Sequence, residues 1–284
     1  MPERDPLVSV DWLKARLSAP DLRVIDATWF LPNDPRDARA EHLAARIPGA
    51  IFFDIDEIAD TASPLPHMLP SPEKFSSRMR KLGIGDGAQI VIYDAQGLFS
   101  SARVWWTFRA MGFDDVMVLD GGLPAWRAGG GEIEDGPPAK RSERHLTPRF
   151  RADLVRDIKD MRWAVETGRA LILDARPARR FAGDAPEPRP GLRAGHMPGA
   201  HNIPSNELVS EAGFLRSRAE LEKIFADAGV TARSRVICTC GSGVTAAIIA
   251  LALARTGRWD APVYDAGWAE WGALSDAPVA VGDD

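Results

Sequence analysis

Cysteine is scarce in this chain: 284 residues contain two, Cys238 and Cys240. With one residue between them at a strand end they are poorly placed for an ordinary disulfide. No disulfide framework is expected, and a reducing, cytoplasmic setting fits. Long apolar runs are also missing: no stretch of about 18 uncharged apolar residues occurs, so no membrane-spanning helix and no membrane partner are expected. A formal net charge of −5, with no basic run interleaved with aromatics, argues against nucleic acid as a partner. The opening Met1-Pro2-Glu3-Arg4-Asp5-Pro6 has neither the basic start nor the apolar stretch of a secretory leader, and none is expected. The five histidines show no metal-ligand spacing, and Cys238-Thr239-Cys240 is too tight for a zinc pair. Neither a metal nor a cofactor is expected.

What is present reads as an ordinary globular protein, 45% hydrophobic and 26% charged. Its length suits about two domains, and internal repeats say how they arise. Arg46-Ile47-Pro48-Gly49-Ala50 recurs as His196-Met197-Pro198-Gly199-Ala200, and Val24-Ile25-Asp26-Ala27 as Ile172-Leu173-Asp174-Ala175. Val91-Ile92-Tyr93-Asp94 matches Ile237-Cys238-Thr239-Cys240; Asp120-Gly121-Gly122 with Trp126 matches Asp265-Ala266-Gly267 with Trp271. The order is kept and the spacing drifts little, so the chain is an internal duplication. Runs at 22–25, 89–93, 170–174 and 235–239 predict buried strands; 102–111, 219–228 and 244–255 predict helices. Strands alternating with helices imply parallel sheets with helices on both faces. The expected fold is α/β: two tandem domains, 1–135 and 150–284, joined by a Gly- and Pro-rich linker at 136–149.

The segment Val236-Ile237-Cys238-Thr239-Cys240-Gly241-Ser242-Gly243-Val244-Thr245 concentrates the chemistry. A strand leads into Cys240, then a two-glycine loop, then a helix. That order sets a thiol within a ring of backbone amides at the positive end of a helix dipole. Both favour the thiolate, which is the nucleophile. Cys240 alone would read as an inert buried cysteine; its place ahead of Gly-x-Gly and a helix start makes it the nucleophile. Cys238, inside the strand, reads as core packing.

With its two copies, its Pro-Gly-Ala turns and a Cys-Gly-Ser-Gly-Val-Thr loop in the second copy only, the chain resembles the two-domain rhodanese superfamily of sulfurtransferases over nearly its whole length. The loop wording is similar to that of the 3-mercaptopyruvate-using branch; thiosulfate-using members usually carry basic residues where Gly241 and Ser242 stand. The resemblance implies two rhodanese-like domains, with Cys240 accepting a sulfane sulfur as a persulfide. It implies 3-mercaptopyruvate as donor, and thioredoxin, small thiols or cyanide as acceptor, with pyruvate released. Thiosulfate as donor is the alternative. It also implies a catalytically inactive first domain, where Asp94 occupies the place of Cys240.

The same resemblance implies that Arg180 and Arg189 bind the substrate, that Gly241, Gly243, Val244 and Thr245 cradle it, and that Asp56, His67 and Ser242 handle a proton. Guanidinium groups suit a 2-oxo acid because they grip a carboxylate in bidentate fashion, a group that thiosulfate lacks. Each of these residues also has a plainer reading. Ser242, Thr245 and Asp56 suit helix caps, His67 lies in a Pro-rich loop, and arginines are usually solvated. Arg176 and Arg179 read as surface or structural. The nine tryptophans read as core and interface packing. A cysteine phosphatase needs an arginine six residues after its cysteine, where this chain has Ala246. A non-catalytic binding module of the same fold suits the Asp94 copy but not the one carrying Cys240.

Overall fold

The computed structural model describes residues 5–282; Met1-Pro2-Glu3-Arg4, on which the leader expectation partly rests, lie outside the described residues. Two five-stranded sheets account for all ten strands among them. The first contains β1 (Leu7–Val8), β2 (Leu22–Asp26), β3 (Ile51–Phe52), β4 (Gln89–Tyr93) and β5 (Val116–Leu119), in the order β1-β5-β4-β2-β3. The second contains β6 (Val155–Arg156), β7 (Leu171–Asp174), β8 (Ala200–Asn202), β9 (Val236–Thr239) and β10 (Val263–Tyr264), in the order β6-β10-β9-β7-β8. All strand pairs are parallel and the order is the same in both, so the duplication extends to topology.

Both faces of each sheet are covered, as an all-parallel sheet requires. Side chains alternate across a strand. Ile90 and Ile92 of β4 therefore enter a core shared by both halves, while Val91 and Tyr93 face a second core with Leu13 and Trp126. On β9, Val236 and Cys238 face the shared core and Ile237 packs with Met161, Trp268 and Trp271 on the other side. That phase puts Cys238 and Cys240 on one face. Burial pushes the Cys238 thiol far above its ordinary range, as expected of a packing residue.

The predicted helices lie at Ser101–Ala110, Arg218–Asp227 and Ala246–Arg255, displaced by a residue or two. Every residue of Ser101–Ala110 is buried, as are Ala246 through Ala254, because these two helices pack on each other at the centre of the shared core. Apolar residues all round the second helix mark a fully enclosed element. Ile248, Ile249, Leu251 and Leu253 each contribute about 1.5–3 kcal/mol by burial. Each helix directly follows the loop at the end of β4 or β9, so the helix pairing brings the two loop regions to the domain boundary.

Candidate active site

Cys240 follows β9 and is 2% exposed. Its carbonyl accepts from the Trp268 amide at 2.8 Å and that of Gly241 from the Ala269 amide at 2.8 Å, so the helix Gly267–Trp271 pins the loop from behind. Among the described residues, no acceptor is found for any backbone amide from Gly241 to Ala246. Gly243 has φ +77°, and a Cβ there would lie 2.5 Å from the Asp265 carbonyl oxygen. Only glycine fits. Val244 is buried. Thr245 occupies the cap position of the following helix but makes no side-chain cap bond, so the capping reading fails there.

The first copy shows what this cradle holds. The Asp94 carboxylate accepts from the amides of Gln96 (2.9 Å), Phe99 (2.8 Å) and Ser101 (2.9 Å), the last being the first residue of a helix. A buried anion at a helix N-terminus is the arrangement that oriented amides favour.

Arg180 and Arg189 come to the second loop from the same segment. The Arg180 guanidinium stands over Gly241, where a Cβ would lie 3.2 Å from its Nη2. Behind it runs a buried chain of alternating charge: Asp174 grips Arg176 at 2.7 Å, Arg176 reaches Glu187 at 2.9 Å, and Glu187 holds Arg180. Arg176 is thus structural and interior, while Arg179 is exposed. Arg189 Nη2 lies 3.4 Å from Ser242 Oγ and 3.5 Å from His67 Nε2, at the outer limit of hydrogen-bond range. Burial lowers the Arg189 pKa from its ordinary value, and negative charge on Cys240 opposes that shift.

His67 and Asp56 arrive from the first domain. His67 Nδ1 lies 2.7 Å from Asp56 Oδ1, and Trp29 Nε1 donates to Asp56 Oδ2 at 2.9 Å. These bonds, His67 first and Trp29 after it, hold the Asp56 carboxyl below its usual range. Asp54, not Asp56, caps the short helix Ile55–Ile58. No hydrogen bond joins His67 to Ser242 among the described residues; Arg189 contacts both. His67 also has φ +60°, the one non-glycine residue with positive φ among the described residues, a conformation retained where the surroundings over-determine it.

Two residues at the domain boundary escaped the sequence reading. Arg103, in the helix Ser101–Ala110, donates to the Asp265 carboxylate at 2.6 Å and the Gly243 carbonyl at 3.2 Å, and also to the His67 carbonyl. Asp265 in turn accepts the Leu69 amide at 2.6 Å. Removing one partner of such a buried pair costs roughly 3–5 kcal/mol. Trp29 and Glu187 were missed as well. The one available signal was at Glu187, a charge set between Pro186 and Pro188. Among the described residues, no group of three or more His, Cys, Asp and Glu side chains is placed to hold a metal.

Known proteins resemble this chain over most of its length. The rhodanese-like domain family matches twice, over residues 9–129 and 157–274. The 3-mercaptopyruvate sulfurtransferase of Escherichia coli is 43% identical over 273 residues, 96% of each chain. Thiosulfate/3-mercaptopyruvate sulfurtransferase 1, mitochondrial, of Arabidopsis thaliana is 40% identical over 97% of this chain and 78% of its own. The crystal structure of SseA from Escherichia coli superposes with a TM-score of 0.86 at 40% identity, covering 94% of this chain and all of that one.

Proposed function

Since the chain belongs to the rhodanese family and is a sulfurtransferase, we propose that it takes sulfur from 3-mercaptopyruvate onto Cys240 and passes it to a thiol or cyanide. The observation that carries the reading is the contrast between the loops: the amides that hold a carboxylate in the first copy have no acceptor among the described residues in the second, where Cys240 replaces Asp94. An anionic sulfur there is solvated by amides that have no other acceptor.

The Cys240 thiolate attacks the substrate sulfur. An S–S bond forms, the C–S bond breaks, and its electron pair goes to carbon as pyruvate enolate. Arg180 and Arg189 hold the carboxylate and keto oxygen and lower the cost of that enolate charge. The enolate carbon takes up the proton carried by the substrate sulfur, through Ser242 and His67. Cys240 is left as a persulfide anion. An acceptor such as thioredoxin, another thiol or cyanide then attacks the outer sulfur and regenerates the thiolate. The chain needs no cofactor for this double displacement, which predicts ping-pong kinetics.

Mass spectrometry of the donor-treated protein should find one added sulfur on Cys240, and its absence would sink the scheme. A side-by-side assay with cyanide as acceptor should favour mercaptopyruvate over thiosulfate, because Gly241 and Ser242 leave the loop without a cation of its own. A preference for thiosulfate would reverse the donor assignment.

A further inference from the structure

We infer that Arg103 is the positioning residue that sets His67 and the Cys240 loop against each other across the domain boundary. Arg103 is 2% exposed and its guanidinium engages four groups at once. Nη1 donates to Asp265 and to the Gly243 carbonyl, Nη2 donates to the His67 carbonyl, and the central carbon lies 4.6 Å from the Trp106 ring centroid. A planar fork has fixed donor directions, so these bonds set a distance between His67, from the first domain, and Gly243, from the second. Peptide planarity carries the effect further. Holding the Gly243 carbonyl also holds the Val244 amide, one of those with no acceptor in the protein. Holding the His67 carbonyl steadies a backbone at φ +60° that a non-glycine residue would otherwise leave. The fold itself does not demand an arginine here: counted from the two helix starts, the second helix carries Ile248 at this place. The clamp serves the Cys240 loop alone.

This inference rests on the proposed roles of Cys240 and His67, and its test separates the two. Arg103→Ala would strand the buried Asp265 carboxylate, so the informative variant is Arg103→Lys, which keeps the charge but loses the fork. With mercaptopyruvate, its kcat should fall about tenfold while KM stays within about twofold, because Arg180 and Arg189 are untouched. In a His67→Ala background the same substitution should cost less than in the unaltered enzyme, about fivefold rather than tenfold, since the histidine it positions is gone and only its hold on the loop remains to be lost. An unchanged kcat overturns the inference. So does an equal loss in both backgrounds accompanied by a lower melting temperature, which is the pattern of a merely structural arginine.

The loop half is read without substrate. Alkylation of Cys240 by iodoacetamide should slow about fivefold in Arg103→Lys and stay unchanged in His67→Ala, because the thiolate depends on the amides. An unchanged rate in Arg103→Lys overturns that half. If the unaltered enzyme releases no pyruvate, or His67→Ala leaves kcat intact, the donor or proton reading falls, and alkylation still decides Arg103.

Discussion

In the first loop the amides of Gln96, Phe99 and Ser101 are occupied by the Asp94 carboxylate, whereas in the second the amides from Gly241 to Ala246 have no acceptor among the described residues and Cys240 takes the place of Asp94. The covers over the two loops differ in the same sense. Gly213, at φ +82°, presses on the first loop, and a Cβ there would lie 2.8 Å from the Gly97 Cα. The matching cover over the second loop carries His67 at φ +60°. One copy closes its cradle with a resident anion and a glycine contact. The other leaves its amides without an acceptor among the described residues, as the proposed sulfur transfer requires, and has a histidine at positive φ on the cover beside them. The comparison teaches that the first loop is occupied by its own carboxylate, and that the first domain brings His67, Asp56 and Arg103 to the boundary with its neighbour.

The sharpest way to break that comparison is at the sulfur. Cys240→Ser should lower pyruvate release by about 1,000-fold or more, and adding Asp94→Cys should restore less than about 1% of it; a larger recovery would mean the first cradle is competent after all. Asp94→Ala should leave kcat intact yet cost about 3 kcal/mol in urea unfolding, because three amides lose a buried acceptor. Gly243→Ala forces a side chain against Asp265 at positive φ and should cost about 100-fold in kcat and about 2 kcal/mol in stability, read by steady-state kinetics and thermal melting. His67→Gly installs the residue type that Gly213 places against the first loop. It should lower kcat about tenfold while changing stability by less than about 1 kcal/mol, since lost contacts are offset by relief of backbone strain.

The smallest effect is at Asp56. Its carboxyl titrates lower in the folded protein than in the unfolded chain, so the stability it contributes is present above the ordinary carboxylate range. That contribution is lost as pH falls through the depressed value. The stability gap between the protein and Asp56→Asn should therefore be constant near neutrality and close below about pH 4. The side chain is 60% exposed, so the gap is small, under about 1 kcal/mol.

Much of this was legible in the sequence. Continuous apolar, β-branched runs placed β4 and β9 within a residue, because a strand buried on both faces has few alternatives to such a run. Cys240 stood out because its loop and helix are adjacent in the chain. Arg180 and Arg189 are brought together with the loop, although nothing in their spacing reported that Glu187 fixes one and that the other lies between Ser242 and His67. Arg103 was invisible among the apolar residues of its helix. Its reason for being buried is a carboxylate from the other domain.

Sequence by itself determined the duplication, the repeating strand–helix order, the cysteine ahead of a glycine loop and the carboxylate that replaces it in the first copy. These are local facts, set by side-chain periodicity, turn chemistry and immediate neighbours. Only the tertiary structure decided which amides have acceptors, that a histidine holds a left-handed backbone, and that one arginine ties both domains to the loop. Those depend on distances between groups far apart along the chain, and residue spacing carries no record of such distances.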